Sequence, residues 1–335
     1  VKKVRLEDIA NRLGVSVGSV SRALAGKPGP GETLRAEILR VAGSMGWSVK
    51  GPRADGVLRT ASVLIRQSYL LDSSNDFFNA VYDGVRREAA AQGVILSGCL
   101  IDSPDTAPET VAVRLREFDG VLALGADSAP WRAALRALGK PVVLCCGHDP
   151  DMRLDSVSPA WRDGARIATA HMIGLGHRRI LFIGALDRTA SRRRLEGYFD
   201  ALREAGIGVD PDRDVIDVGD ASAEAVRAAA LGPLRGRIAA ASAAFCAPDS
   251  AAMGLISACL ESGIAVPQAL SVVGFDDMPT AALFHPGVTT VHVRREELGR
   301  VALRRLIARA RNPSETARRI DLGGHLVERG STGKA

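Results

Sequence analysis

The sequence contains no uninterrupted apolar run of about 18 residues, so it offers no membrane span. Its first residues, VKKVRLEDIA, lack the apolar block of a secretory leader. A cytoplasmic location is the expectation that follows. The cysteines Cys99, Cys145, Cys146, Cys246 and Cys259 are scattered, with no CxxC or Cys/His spacing that would hold zinc. Most sit in apolar stretches such as VVLCCG, AAFCAP and LISACLE, where a thiol behaves as a small buried hydrophobe of a reducing compartment. No phosphate-cradling or oxyanion loop is evident. Cys146 and His148 in VLCCGHD lie two positions apart on a loop, which does not position a nucleophile against a base. An enzyme is therefore not expected, and no metal or cofactor is called for.

What is present is a globular composition, 46% apolar and 24% charged, over 335 residues, enough for two or three domains. The net charge of +6 is unevenly placed. Residues 1–60 hold eleven basic and five acidic groups, which is the entire excess; the other 275 residues are balanced. A polyanionic partner for the front of the chain is the simplest physical reading.

That front segment reads as three short helices. Leu6, Ile9, Ala10 and Leu13 form one apolar stripe, and Gly14 ends the first helix. Ser16 can cap a second, in which Val20, Ala23 and Leu24 face inward. After GKPGPG, a third helix starts at Gly31 or Glu32 and stops at Gly46, with Leu34, Ile38, Val41, Ala42 and Met45 on its core side. The pattern is a helix-turn-helix. The outer face of the second helix carries Ser16, Val17, Gly18, Ser19, Ser21 and Arg22, weak helix formers that a water-facing surface would not select. In a major groove they make sense. Small side chains let the backbone approach, the serines can donate to phosphates, Val17 can touch a thymine methyl, and Arg22 can grip guanine with two parallel bonds. Arg5 joins this set as a basic group beside the first helix.

The remaining 275 residues alternate apolar runs with amphipathic stretches. Strands are expected at 62–67, 94–101, 120–125, 141–147, 179–184, 214–219, 243–248 and 271–276. Alternation of this kind argues for parallel sheets covered by helices on both faces. Two lobes fit, 61–160 and 161–290, with a cleft at the carboxyl ends of their strands. The helix RREELGRVALRRLIARARN, within a returning segment of about 291–317, is expected to return to the first lobe. The strand ARRIDLGGHLVERGS (about 318–330) is expected to return to the second. Asp76, Phe77 and Phe78 stand where the first lobe would meet a ligand, although plain core is an equal reading for the two phenylalanines. Arg192 and Arg193 could welcome an anion, with a solvated charge run the simpler reading.

VRLEDIANRLGVSVGSVSRALAG resembles, without a gap, the headpiece of the LacI family of bacterial transcriptional regulators. IGLGHRRILFIG, RLEGY, GIAVPQALSVVGFDD and LVERGST resemble the same family's effector domain, so the likeness spans nearly the whole chain. It implies an α/β chain: a small all-α helix-turn-helix headpiece (1–47), a hinge (48–60), and a two-lobed, doubly wound periplasmic-binding-protein-like domain. The function implied is repression from a pseudo-palindromic double-stranded DNA operator, by a homodimer that answers to a small-molecule effector, a sugar or sugar derivative. Val17, Gly18 and Arg22 fall on the family's base-reading positions, and Arg194 and Asp276 on its ligand positions. An Arg fork and a carboxylate at strand ends suit vicinal hydroxyls or an acid group.

The chain departs from the family pattern in two places. The hinge VKGPRADGVL puts Val49, Lys50 and Gly56 at the usual Pro, Asn and Leu positions. Glycine cannot wedge between bases. Pro52 and Arg53 remain in the hinge, and either Val57 or Leu58 takes over the wedge in a shifted register or the operator is bent less. In the effector site, Cys146, Pro248 and Ala221 replace a polar residue, an Asn and an aromatic, while Trp161 adds a flat apolar face. A ligand smaller or less polar than a disaccharide is the consequence. The family's C-terminal tetramer helix is missing from this sequence, which leaves a two-fold dimer as the expected assembly. A solute-binding protein of a transport system is the rival reading; the basic front segment speaks against it.

Overall fold

Three helices lead the chain: α1 (Leu6–Leu13), α2 (Val17–Leu24) and α3 (Glu32–Ser44). The computed structural model describes residues 4–24, 29–45, 57–67, 69, 76–101 and 106–335. At the start of α1 the Asp8 carboxylate accepts the Arg5 backbone N–H at 2.7 Å. Past Gly14, the Val15 N–H turns back to the Ala10 carbonyl at 3.1 Å. The Ser16 hydroxyl accepts the Ser19 N–H at 3.0 Å and so caps α2. Ile9, Ala10, Val20, Ala23, Ile38, Val41 and Ala42 close a small core of their own, with Leu6, Leu13, Leu24, Leu34 and Met45 around it. These are the inward positions that the 3.6-residue period marked.

Strands and helices then alternate: β1 (Thr60–Arg66), α4 (Phe77–Gln92), β2 (Ile95–Ile101), α5 (Pro108–Leu115), β3 (Gly120–Leu124), α6 (Ala129–Arg136), β4 (Val142–Cys145) and β5 (Asp155–Pro159). A second run follows: α7 (Trp161–Gly174), β6 (Ile180–Gly184), α8 (Thr189–Glu204), α9 (Pro211–Asp214), β7 (Val215–Asp217), α10 (Ala223–Leu231), α11 (Arg235–Ala239), β8 (Ala243–Ala247), α12 (Asp249–Glu261), β9 (Ser271–Val273) and α13 (Pro279–Leu283). The chain ends through β10 (Thr290–His292), α14 (Arg295–Arg311), β11 (Arg319–Leu322) and β12 (His325–Val327). One sheet is ordered β11-β5-β4-β3-β1-β2 and the other β7-β6-β8-β9; every pairing in both is parallel. β10 and β12 form a separate antiparallel pair. The strands β3, β4, β6 and β8 are buried along their whole length, which explains their continuous rather than alternating apolar runs. Among the described residues no helix is long and apolar enough to cross a membrane.

The helix α14 lies against the first sheet. It packs on α4, β3 and β4, and Arg304 reaches Glu88 of α4 at 2.8 Å. Two features differ from the sequence reading. The strand β5, DSVSP, was not among the expected strands because its side chains are polar. All five residues are buried, and Asp155 is neutralised from α14 by Arg309 at 2.7 Å and Arg305 at 3.1 Å. Burial raises the Asp155 pKa, but these arginines and the Arg318 N–H outweigh it and hold the group below the usual carboxylate range. The C-terminal strand is split, and its first half departs from the expected return to the second lobe. Arg319–Leu322 pairs with β5 in the first sheet, and His325–Val327 pairs with β10. The break falls at Gly323–Gly324, where a Cβ on Gly324 would meet the His292 carbonyl at 2.3 Å.

Candidate functional site

Two surfaces gather the residues singled out by sequence. On α2, Ser16, Val17, Gly18, Ser21 and Arg22 are exposed, Val17 by 39% although it is apolar. Ser19 is half-buried, its hydroxyl 2.8 Å from that of Ser16. One hydroxyl of that pair donates to the other, so one O–H remains free to point outward. The Arg22 guanidinium lies beside two glycines, and a Cβ on Gly18 or Gly29 would come within 3.9 or 2.8 Å of it. No carboxylate pairs with it among the described residues. Arg5 is exposed at the start of α1. The surface can do one thing well: lie flat against a polyanion and present a single guanidinium fork.

The hinge positions Pro52 and Arg53 lie outside the described residues. Val57 is 51% exposed, whereas Leu58 is only 6% exposed and belongs to the core of the first sheet. Leu58 packs over Gly120, whose hypothetical Cβ it would meet at 2.8 Å. A side chain anchored there cannot also wedge between base pairs, which corrects the reading of Leu58 as an alternative wedge.

The second surface is a cleft of about 450 Å³ between the two parallel sheets. Phe77, Phe78, Cys146, Trp161, Arg194, Pro248 and Asp276 all line it, as does Ala221. Asp76 does not; it is exposed at the start of α4, 3.5 Å from the Asn79 amide. All but Arg194, which lies in the second turn of α8, stand near a strand end or a helix start, as parallel topology requires. Tyr69 and Phe78 stack at 4.3 Å with their planes 1° apart, and Phe77 meets Phe78 edge-on at 5.3 Å. Gly125, at φ +63°, makes room for that stack: a Cβ there would lie 2.9 Å from Tyr69 and 3.1 Å from Phe78. Phe78 is therefore a cleft wall, while Phe77 is buried beneath it.

At the cleft floor Arg194 donates to Asp276 at 2.7 Å and lies over the Phe275 ring at 4.0 Å. Both side chains are buried. Desolvation lowers the Arg194 pKa and raises that of Asp276, each offset by its partner. The Arg194 Nε has no acceptor. Below the pair, Asp249 accepts the Thr290 hydroxyl at 2.6 Å and the Met278 N–H at 2.8 Å. Burial first, and the Asp276 charge second, push Asp249 up to about 7. Asp276 and Cys146 both hold positive φ, +116° and +53°, strained conformations typical of ligand sites. The Cys146 thiol is pushed well above its ordinary pKa by its neighbour Cys145 and by burial, so it is no thiolate nucleophile. His148 bonds Arg193 at 3.0 Å instead of the thiol.

Sequence reasoning missed Arg66, Tyr69, Asp127, Ser128, Arg132, Arg188, Thr189 and Ser191, which also line the cleft. Their common signal is position: the last residue of β1, and the loops and first helical turns that follow β1, β3 and β6. Arg192, read as part of a charge run, lines the cleft too, while Arg193 turns to Glu196 and His148. A larger groove of about 670 Å³ along the start of α14 is lined by charges that answer one another, such as Glu296 with Arg300 and Glu297 with Arg294. It is solvated surface rather than a built site.

Residues 169–332 match the family model of the periplasmic binding protein-like domain. The ribose operon repressor of Escherichia coli is 28% identical, over 97% of this chain and 99% of its own length. The transcriptional regulator CelR, solved as a cellobiose complex, superposes with a TM-score of 0.73 at 28% identity, over 98% of this chain and all of its own. A LacI family transcriptional regulator from Mycobacterium smegmatis gives 0.71 at 28%, over 82% of this chain and 99% of its own. This chain, with an exposed helix-turn-helix face followed by two parallel sheets around a cleft, is thus similar over nearly its whole length to DNA-binding transcriptional regulators of the LacI family.

Proposed function

We propose that the chain represses transcription in the cytoplasm as a two-fold dimer, gripping a pseudo-palindromic operator through residues 1–47 and responding to a small molecule in the cleft. Residues 48–60 link the reading module to the lobes. One lobe is built from 61–160 with the returning α14 and β11, the other from 161–290 with β12. The observation that carries the reading is the exposed set Ser16, Val17, Gly18, Ser21 and Arg22 on a module with its own core. Arg22 reads guanine, Val17 a thymine methyl, and the serines and Arg5 hold phosphates. A ligand that fits one arrangement of the lobes better than another shifts the spacing of the paired modules, and with it the grip on DNA.

The effector is a sugar or sugar derivative. The names of the relatives, a ribose operon repressor and a cellobiose-bound regulator, favour this class. So does the cleft itself: aromatic faces at Tyr69, Phe78 and Trp161 for a ring's C–H side, and the Arg194–Asp276 pair for hydroxyls. Cys146, Ala221 and Pro248 offer little polar recognition, which suits a ligand smaller or less polar than a disaccharide. Selection of bound duplexes from a random library tests the reading. The expected product is a pair of inverted half-sites about one helical turn apart, near 10 base pairs. Recovery of unrelated sequences, or of single asymmetric sites, would overturn it.

A further inference from the structure

Five arginines line the cleft, Arg66, Arg132, Arg188, Arg192 and Arg194, against three aspartates, Asp127, Asp187 and Asp276. Three of the arginines are already engaged. Arg194 pairs with Asp276 at 2.7 Å. Arg132 pairs with Asp149 at 3.4 Å and donates to the Asp127 carbonyl. Arg192 donates to the Leu186 and Asp187 carbonyls at 2.7 and 2.8 Å and to the Thr189 hydroxyl at 3.2 Å. The side chains of Arg66 and Arg188 have no hydrogen bond or ion pair among the described residues. Arg66 ends β1 in one sheet, and its Nε is shut from solvent without an acceptor. Arg188 immediately precedes α8 on the other sheet. Both guanidinium groups face the Tyr69 ring, at 5.9 and 6.0 Å from its centroid, so they lie within about 12 Å of each other.

The start of α8 opens into the same space. This 16-residue helix has no acid in its first turn and no side-chain cap. The backbone N–H groups of Thr189, Ala190 and Ser191 find no acceptor among the described residues. Ser191 is 3% exposed, lines the cleft, and has no hydroxyl partner among those residues either. Asp187 is exposed and bonded to neither free arginine, and Asp127 is occupied by the His148 N–H at 2.9 Å. Two like charges from opposite sheets, a buried serine hydroxyl and an uncapped helix dipole thus converge where no side chain answers them.

We propose that the cleft is built for an anionic effector whose carboxylate or phosphate group is held jointly by Arg66, Arg188 and the N-terminus of α8. The assignment rests on the effector reading above and narrows it to a sugar acid or a sugar phosphate. The ring of such a ligand lies on the Tyr69–Phe78 stack, and its hydroxyls reach Arg194 and Asp276. The anion also supplies a reason for the sheets to approach. Without it Arg66 and Arg188 repel; with it they share one charge, so the closed arrangement is the one the ligand favours.

Calorimetric titration of the full-length protein tests this with pairs matched except for charge: glucuronate against glucose, ribose 5-phosphate against ribose, and inorganic phosphate alone. The expected result is that a charged member binds roughly tenfold to a hundredfold more tightly than its neutral partner. Arg66→Gln and Arg188→Gln should each remove that preference, bringing the charged member's affinity down to that of its neutral partner. Preference for glucuronate identifies a carboxylate ligand, and preference for ribose 5-phosphate or inorganic phosphate a phosphate. Arg188 is exposed, so its variant keeps the fold if Arg66→Gln does not. Equal or tighter binding of the neutral members, a preference that survives Arg188→Gln, or failure of all five probes to bind would overturn the assignment. A charged probe that binds without altering DNA affinity would instead fell the regulatory reading and leave this one standing.

Discussion

On α2 the proposed recognition groups fall within one seven-residue stretch, Ser16 to Arg22, and most of them are exposed. In the cleft they come from segments as distant as Arg66 and Asp276, and the charged pair at its floor is buried. The first surface asks nothing of the rest of the molecule beyond a small core that holds three helices together. The second exists only when two sheets are complete, and its charges must neutralise each other inside the protein. Substitutions should therefore separate: those on the outer face of α2 change binding and leave global stability in place, while those at the buried floor of the cleft change both.

Arg194→Ala is the largest expected effect. It strands Asp276 as a buried, unpaired carboxylate, at a cost of about 3–5 kcal/mol. A urea unfolding midpoint far below that of the parent chain is the expected result. An unchanged midpoint would mean that the cleft is wetter and looser than its geometry says.

Next comes a pH effect that belongs to the cleft alone. Asp249 titrates at about 7 in the folded chain against an ordinary 3.8. Its contribution is complete below about pH 4, where both states hold the proton. It is lost as pH rises toward 7, because the unfolded chain releases the proton and the folded one keeps it. Relative to Asp249→Asn, the parent chain should lose roughly 2–3 kcal/mol between pH 5 and 8, read from paired urea titrations. Comparison with the variant cancels His148 and His177, whose lowered values, due first to burial, tilt stability the other way. Parallel curves for the two proteins would show that Asp249 does not carry this proton.

Arg22→Ala should cost about 1–3 kcal/mol of discrimination between the selected duplex and a scrambled one, with residual unselective binding and an unchanged unfolding midpoint. Retained selectivity would remove Arg22 from base reading. The smallest effect is Ser16→Ala. Losing the cap over the Ser19 N–H should weaken α2 by about 1 kcal/mol, visible as faster amide exchange in that helix alone.

The same contrast decides how much was legible in the sequence. The headpiece was read almost residue by residue because its signals are local: an i, i+3, i+4 stripe, a Gly stop, a Ser cap. The buried strands were equally plain, since parallel strands covered on both faces are continuous apolar runs. β5 escaped because its Asp and Ser side chains are satisfied by arginines of α14, about 150 positions later in the chain. Leu58 was misassigned because its burial depends on Gly120 across the sheet. In the cleft, family resemblance supplied Arg194 and Asp276. It did not supply Arg66, Tyr69 or Arg188, since only the packing of two sheets brings those side chains together.

The central claim is that occupancy of the cleft sets the grip of α2 on DNA. Its most direct test is fluorescence anisotropy of the selected duplex, titrated with the full-length protein with and without a saturating cleft ligand. Arg194→Lys, which keeps the charge but loses the fork, serves as the control. The expected result is a shift in DNA affinity of roughly 5-fold to 150-fold in the parent chain and little or none in the variant. Identical DNA affinity with the parent cleft empty and full would contradict the claim.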